Sequence, residues 1–393
     1  MNKKISIATL HYGFNEGAVL QAYSTASLFS SILPDFKVEI IDQRYPSKKA
    51  VYGKPDSTRK IALQNAIDSW LPLSEKKFHH PTHDAAVQYI NDTSGALVIG
   101  SDQVWKLRYQ GRLRRFIPNG IVPRQSDPFY PSFPNLYWPS NELQCPRVSF
   151  ASSMGQLDGN DIPKNHRRQM AAILDGFSML SVRDEKTFNF MEMLSPSLAQ
   201  RAEVLPDPTL CYNLITKSND DALKARLQEM GVDFSRERIG IVSPDNSAVI
   251  EMADHYRKRG SQIIGITTQN SFCDINLFQE GFHPLEWARL FHYMDFCVLD
   301  RMHAMIFSLC NSTPFVAIDQ NLTKVSNETK VLSLLRTFDL LDHYTIKDQI
   351  NGTQLKDHAN AIRLNPWDWE KINTVREKLK QKAANYVSRV GRL

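Results

Sequence analysis

The sequence predicts an α/β protein of two domains, each built on a parallel sheet, and three observations carry that expectation. Short apolar runs of strand length alternate with helix-periodic segments almost from end to end, and strands that each hand over to a helix assemble into parallel sheets. At 393 residues the chain exceeds the size at which a single core stops growing. The run Val204-Leu-Pro-Asp-Pro-Thr-Leu210 reads as a last strand and exit, with a boundary near 206–218, so we expect domains at 1–210 and 211–393.

Taken in order, Ile5 to Leu10 is the first strand, and His11-Tyr-Gly-Phe-Asn-Glu-Gly17 is a loop into a helix marked by Ala18, Leu20, Tyr23 and Leu28. The glycine pattern of a dinucleotide fingerprint is absent. Val38 to Ile41 forms a strand ending in Asp42, and residues 45–85 show no single periodicity. Within them His79, His80, His83 and Asp84 are split by a proline and match no zinc spacing, so we read a solvated loop and no metal site. Ala96 to Ile99 is a buried strand that delivers Gly100, Ser101, Asp102, Gln103, Val104 and Trp105 at its carboxyl end. From Lys106 to Arg124 the chain is basic, and from Pro118 to Pro146 it is rich in proline and aromatics, including Tyr130 and Trp138. That aromatic content argues for a functional insertion, spanning about 106–140, over a disordered one. Strands at Val148 to Ser152 and Met179 to Val182 follow, the latter ending in Arg183-Asp184-Glu185, with helices over 166–174 and 186–193.

The second half repeats the alternation, with helices over 220–229, 248–259, 284–293 and 330–341 and strands over 239–242, 262–267, 296–299 and 315–318. Near the end Ile372, Val375, Leu379, Ala383, Tyr386 and Val390 form one stripe on a long helix. Its other face carries Lys371, Arg376, Lys378, Lys380, Lys382 and Arg389, which is either a solvated face or one drawn to an anionic membrane surface.

Composition excludes several classes. The balance of 47 basic and 42 acidic residues gives +5, too mild for a nucleic-acid binder and compatible with an anionic substrate. Five scattered cysteines show no metal or disulfide pattern, which suits a reducing cytoplasm. Neither a signal-peptide core nor an apolar run of membrane-spanning length is present.

The stretch Asp295 to Asp319 draws the reading together. A buried strand there ends in Asp300-Arg301-Met302-His303 and runs straight into a helix, the place where parallel sheets bind ligands and helix N–H groups favour anions. The alternative is an ordinary helix start with an incidental arginine.

Several segments, in this order and spacing, resemble the polysaccharide pyruvyl transferase family over most of the chain: Asn15 to Tyr23 with Val38 to Asp42, then Val98-Ile-Gly-Ser-Asp-Gln-Val-Trp105, Ser149-Phe-Ala-Ser-Ser-Met-Gly155, Leu180-Ser-Val-Arg-Asp-Glu185, Asp207-Pro-Thr-Leu210 and Asp300-Arg-Met-His-Ala304. The resemblance implies two Rossmann-like domains arranged as in the GT-B glycosyltransferases, with a cleft between them. It implies phosphoenolpyruvate (PEP) as donor, a hydroxyl pair of a sugar or lipid-linked glycan as acceptor, and a pyruvate ketal as product in exopolysaccharide or cell-wall synthesis. By the same match PEP would be held by Arg183, Arg301, Met302 and His303, and Asp102 corresponds to the family's aspartate.

The chemistry of the residues points the same way. A phosphate and a carboxylate suit two guanidinium forks, a histidine suits proton delivery to the enol carbon near neutrality, and a carboxylate suits the acceptor hydroxyl. We therefore assign His303 as general acid, Asp102 as base, and Asn15, Gln103, Trp105, Tyr130 and Trp138 to the acceptor, with no cofactor or metal. Arg183 has an alternative as an ion pair with Asp184 or Glu185, Asp102 as a helix cap, and Lys330 could reach the cleft from its own helix. The long 106–138 stretch departs from the family pattern. Rival functions are a nucleotide-sugar glycosyltransferase of the same fold and a non-catalytic glycan-binding protein. The expected location is the cytoplasm or the inner membrane face, with peripheral membrane contact but no nucleic acid; the oligomeric state stays open.

Overall fold

In the first sheet β1 (Lys4–Ala8) lies at the centre, because Ile5, Ile7 and Ala8 are buried and pair on both sides. The computed structural model describes residues 3–44, 56–79, 83–107, 133–139, 142–155, 157, 159–214, 220–319 and 329–393. From β1 the chain passes through α1 (Glu16–Ile32), β2 (Lys37–Arg44), α2 (Thr58–Trp70) and β3 (Leu73–His79), then α3 (Asp84–Thr93), β4 (Ala96–Ile99) and β5 (Arg147–Ser149). The strand order is β3-β2-β1-β4-β5, all parallel. The chain builds outward from β1 to β3 and then returns to β4, which puts the topological switch between β1 and β4. After α4 (Lys164–Asp175), the strand β6 (Leu180–Val182) follows β5 through single bridges at Val148–Met179 and Ser152–Val182. Helices α5 (Glu185–Leu194) and α6 (Pro196–Arg201) lead to β7 (Ala202–Val204), which pairs with β6, and to the short α7 (Pro208–Cys211).

The second sheet has the same logic. Helix α8 (Asp220–Glu229) precedes β8 (Arg238–Val242), α9 (Ser247–Lys258), β9 (Gln262–Gly265), β10 (Ile275–Asn276), α10 (Pro284–Leu290), β11 (Phe296–Leu299), α11 (Met302–Cys310), β12 (Phe315–Asp319), α12 (Lys330–Thr337), β13 (Tyr344–Ile346), α13 (Gly352–Leu364) and α14 (Trp369–Val390). The order β10-β9-β8-β11-β12-β13 is parallel throughout and places its switch between β8 and β11. One face packs Ile239, Ile241, Phe296, Val298, Val316 and Ile318 against Val249, Met252 and Tyr256 of α9 and Leu355, Ala359 and Ile362 of α13.

The chain forms two compact units, Met1–Pro55 with Gln64–Tyr212 and Leu379–Leu393, and Asp56–Leu63 with Asn213–Lys378. A single cut at 210 therefore does not describe it. The end of α14 belongs with the first unit because Ala383, Tyr386, Val387 and Val390 are buried there and the Tyr386 hydroxyl donates to the Ser149 carbonyl at 2.8 Å. Leaving that hydroxyl buried without an acceptor would cost a kcal/mol or more, on the order of 1–3. The expected strand over 204–210 is instead β7 followed by a helical turn, since Pro208 occupies the first helical position and Asp207 accepts from Thr209 N. Residues 45–85 hold α2 and β3, which have low amphipathicity and escaped the periodicity argument. Among the described members of the His79–Asp84 run, His83 and Asp84 start α3, whose first turn is acidic; His80 lies outside the described residues. No described helix is long and apolar enough to cross a membrane.

One buried charge network sits beside the first switch. Asp42 of β2 has no exposed surface; it accepts from Arg44 Nε at 2.6 Å, from Arg44 Nη2 at 3.0 Å, and meets His11 Nε2 at 3.1 Å. Burial alone would raise its pKa, but hydrogen bonds from His11 and Arg44 override it and hold the carboxyl at about 2. Against an unfolded value near 4, a depression of this size stabilises the fold by about 2 kcal/mol, fully present above the unfolded value and lost as pH falls through the folded one. The unfolding free energy of the native chain minus that of Asp42→Asn is therefore expected to shrink by about 2 kcal/mol between pH 5 and pH 2. A pH-independent difference in denaturant titrations would contradict this account.

Candidate active site

Loops that leave the carboxyl ends of parallel strands at a switch diverge and leave a crevice, so the residues just beyond β1 and β4 define the first candidate edge. The two loops are joined there: Gly100 N donates to Ala8 O at 3.0 Å and Thr9 Oγ1 to Ser101 O at 2.9 Å. Gly100 adopts φ +118, and a Cβ on it would meet the Phe150 carbonyl oxygen at 2.2 Å, so the chain passes Phe150 only as glycine. Asp102 follows at φ +76, a region that aspartate tolerates better than most residues. Its main chain is pinned on both sides by Ser153 N, which donates to Asp102 O at 2.9 Å, and by a parallel bridge to Ser152.

Arg183, just past β6, reaches this edge with a side chain only 5% exposed. Its Nη1 donates to Asp207 Oδ2 at 2.9 Å and its Nη2 to Asp102 Oδ1 at 3.3 Å, while Nε has no hydrogen-bond partner among the described residues. Burial would lower the basicity of this guanidinium, but the surrounding carboxylates Asp102, Asp207 and Asp184 carry it above its ordinary value. Asp207 is spent twice, since its Oδ1 also accepts from Thr209 N and Thr209 Oγ1 at the start of α7. Asp184 is the N-cap of α5: its Oδ1 accepts from Thr187 N and Oγ1, and its Oδ2 from Ser153 Oγ at 2.6 Å.

The second edge lies beyond β8 and β11, where Asp300 N donates to Val242 O at 2.8 Å. Arg301 occupies the N-cap position of α11 in an extended conformation and makes no side-chain cap. The start of α9 across the same switch differs, because Asn246 accepts from Ala248 N and Val249 N and so occupies that helix's first donors. The Arg301 side chain is 47% exposed and lies 3.7 Å from Asp300 Oδ1, beyond hydrogen-bonding range, whereas the Asp300 carboxylate is 4% exposed. Met302 is buried, so it can offer a ligand only its main chain, and His303 is half-buried in the first turn. Beside this edge Asn270, fully buried, ties the loops together by donating to Ser243 O and Asp245 Oδ1, both at 2.9 Å.

Several expected site residues thus take different roles. Trp105 and Trp138 are 1% exposed, tilted against each other with centroids 5.2 Å apart, and Trp105 Nε1 donates to Tyr137 O. Rings enclosed in this way are core, not a sugar platform, because no face is left to stack. Tyr130 lies outside the described residues, as do 108–132 of the insertion. Arg183 is not paired with Asp184 or Glu185; its terminal nitrogens face Asp207 and Asp102. Asp102 sits in a turn and caps no helix. Asn15 is exposed but caps α1 through Ala18 N, and Gln103 is half-buried against Gly155. Lys330 is exposed at the start of α12. Sequence reasoning missed Asp207 and the buried His11–Asp42 contact; the aspartate preceding Pro208 was the available signal. Among the described residues no cluster of three or more metal-ligating side chains occurs.

A sequence profile of the polysaccharide pyruvyl transferase family matches residues 15–321, which contain Asp102, Arg183, Asp207, Arg301 and His303. The chain belongs to that family. No curated protein sequence matches it. Among solved structures it is similar to a putative UDP-N-acetylglucosamine 2-epimerase from Listeria monocytogenes, at 8% identity with a TM-score of 0.54 over 98% of this chain and 94% of that one. It is also similar to the H548A variant of the wall teichoic acid polymerase TagF, at 9% identity and 0.51 over 100% and 89%. With the parallel sheets these place the chain in the fold class of two Rossmann-like domains of GT-B type.

The two arginines are expected to separate in unfolding experiments. Arg183→Ala leaves two carboxylates without their cation in a buried setting, a loss of about 3–5 kcal/mol. Arg301→Ala, half-exposed and loosely paired, is expected to change stability by no more than about 0.5 kcal/mol. Equal effects in chemical denaturation would contradict these assignments.

Proposed function

We propose that this family member transfers the pyruvyl group of PEP to a pair of hydroxyls on a polysaccharide or lipid-linked glycan precursor, forming a ketal and releasing phosphate. The observation that carries this reading is the edge at Arg301: a half-exposed guanidinium at the start of a helix, where its own side chain makes no cap. The N–H groups of a helix start and a cation suit a phosphate or carboxylate, and the family match supplies the pyruvyl transfer.

In this reading Arg301 and the first N–H groups of α11, that of Met302 included, hold the donor's anionic oxygens. His303 gives a proton to the methylene carbon of the enol, turning it into a methyl group. The electron pair of the double bond makes the new C–H bond and leaves an oxocarbenium-like carbon, which one hydroxyl of the acceptor captures as it loses its proton. The second hydroxyl then displaces phosphate, which leaves with the C–O bonding pair and takes up that hydroxyl's proton, and the ketal closes. A fixed guanidinium and helix donors stabilise the phosphate as charge moves onto it. Asp102, with 18% of its side chain exposed, receives the acceptor hydroxyl. The scattered cysteines suit a cytoplasmic setting, and a glycan carried on a lipid would bring the protein to the inner membrane face.

Phosphate release from PEP is to be screened over methyl glycosides that offer 4,6- or 3,4-hydroxyl pairs, with a CDP- or UDP-linked sugar as the competing donor. Turnover is expected with PEP alone, and turnover only with a nucleotide sugar would replace this reading by a glycosyltransferase one. Arg301→Ala is expected to weaken PEP binding by about 2–4 kcal/mol in calorimetry. His303→Gln keeps the reach and a donor but removes the transferable proton, so PEP still binds while ketal formation falls by about 10²–10⁴-fold. Near-normal turnover of the Gln variant would remove His303 from the chemistry.

A further inference from the structure

His11 lies where the chain leaves β1, and its side chain has no exposed surface. Its Nε2 stands 3.1 Å from Asp42 Oδ1 and its Nδ1 3.1 Å from the Thr9 carbonyl oxygen. Neither partner can donate. A main-chain carbonyl offers lone pairs only, and Asp42 is an ionised carboxylate, held at about 2 against the pull of burial by hydrogen bonds from His11 and Arg44. A neutral imidazole has one N–H and one lone pair, so it would satisfy one of these oxygens and set a lone pair against the other. The imidazolium, with two N–H groups, satisfies both. Arg44 brings a like charge to the same carboxylate, its Nε 2.6 Å from Asp42 Oδ1, while its Nη2 donates to Asp68 Oδ1 of α2 at 2.7 Å, so carboxylates stand beside both cations.

We propose that His11 is a positioning residue carried as a buried imidazolium: with a proton on each ring nitrogen it clamps the end of β1 to β2 and so fixes the turn that bears Asp102. Thr9 is where the clamp meets the site. Its carbonyl accepts from His11 Nδ1 and, at 3.4 Å, from the Tyr137 hydroxyl. Its Oγ1 accepts from Gln21 Nε2 at 3.0 Å and donates to Ser101 O at 2.9 Å, one residue before Asp102. The neighbouring Ala8 carbonyl accepts from Gly100 N. The turn carrying Asp102 therefore hangs from the end of β1, and the end of β1 is held by His11. That this turn serves the acceptor rests on the pyruvyl-transfer reading; the charge on the clamp does not. A loop fixed by charge-assisted bonds at its root keeps one geometry, which is how a supporting residue sharpens a contact it does not make itself.

The test has two arms, both on the full chain. In the first, isotope-labelled histidine is incorporated and the ring-nitrogen chemical shifts are recorded by NMR at the pH of the assay. The His11 signals are assigned by their absence from His11→Gln, or from His11→Asn should the glutamine variant not fold. Both nitrogens are expected at protonated positions, and a lone pair on either one would overturn the proposal. In the second arm, initial rates are measured with whichever methyl glycoside supports phosphate release in the native enzyme. Glutamine has one donor end and one acceptor end, so it can donate to Asp42 or to the Thr9 carbonyl but not to both. His11→Gln is therefore expected to lower acceptor kcat/KM about 10-fold through misplacement of the turn. Thr9→Val keeps the shape, removes the bond to Ser101 and is expected to cost about the same factor. Because the two act along one chain of contacts, the glutamine substitution is expected to cost less than about threefold in the Thr9→Val background. A folded His11→Gln with acceptor kcat/KM within about twofold of native would overturn the positioning role, and so would equal losses in the two Thr9 backgrounds. If the native chain releases no phosphate from PEP with any glycoside, the pyruvyl-transfer reading itself fails, while the charged clamp stands or falls on the first arm.

Discussion

A guanidinium with 5% exposure, set between carboxylates at 2.9 and 3.3 Å, is the contact on which the first unit's strand edge depends. A buried cation is costly to desolvate, and it is tolerated only where its partners are placed before it arrives. Each partner comes from a different segment: Asp102 follows β4, Arg183 follows β6, and Asp207 opens α7. The carboxylate of Asp184, next in sequence to Arg183, is drawn away to cap α5 and to accept from Ser153, so the arginine turns to the more distant pair. Four short motifs are thereby locked together by charge and caps, and none of them could shift without leaving a buried group unsatisfied.

The second unit meets the same topological problem with a more exposed cation. Its switch, too, lies between the first strand and the strand to which the chain returns, but the residue that opens the helix is Arg301, which is half-exposed and makes no cap. This edge presents a half-exposed cation beside the enclosed Asp300 carboxylate, at a helix start. Two sheets of one topological type thus differ in how far the arginine at the strand edge is exposed, 5% for Arg183 against 47% for Arg301. Structures only 8–9% identical share the fold, so the fold supplies strand ends and does not by itself fix what binds there.

How much of this was legible depended on the range of the interaction. The run Phe296 to His303 announced itself locally, since an apolar strand that passes into a helix leaves its junction at the carboxyl edge. The same local logic located Asp102 after β4. What failed was long-range: Arg183 and Asp207 are 24 residues apart, and no periodicity says that a cation will choose a partner at that distance over its neighbour. The resemblance named the motifs but not their mutual contacts. Trp105 and Trp138 misled for a related reason, because aromatic content measures the area available for burial and says nothing of which side, core or ligand, will cover it. The return of α14 to the first unit was likewise hidden, since its apolar stripe reads the same against either core.

The backbone around Asp102 shows how deeply a loop can be constrained without any ligand. Gly100 at φ +118 passes so near the Phe150 carbonyl that no Cβ fits, and two residues later Asp102 stands at φ +76. A side-chain-bearing residue in that region costs on the order of 1–2 kcal/mol, so some other interaction must offset it. The offset is visible in three bonds: Ser153 N to the Asp102 carbonyl, Trp105 N to Ser153 O at 3.1 Å, and Arg183 to the carboxylate. The burial of Trp105 supports the same turn, with its Nε1 held by Tyr137 O. The tryptophan that looked like a sugar platform is therefore a brace beneath the aspartate. The Gly-Ser-Asp-Gln-Val-Trp motif thus carries a geometric demand at each end: a glycine where the chain is squeezed and a buried ring where it must not give way.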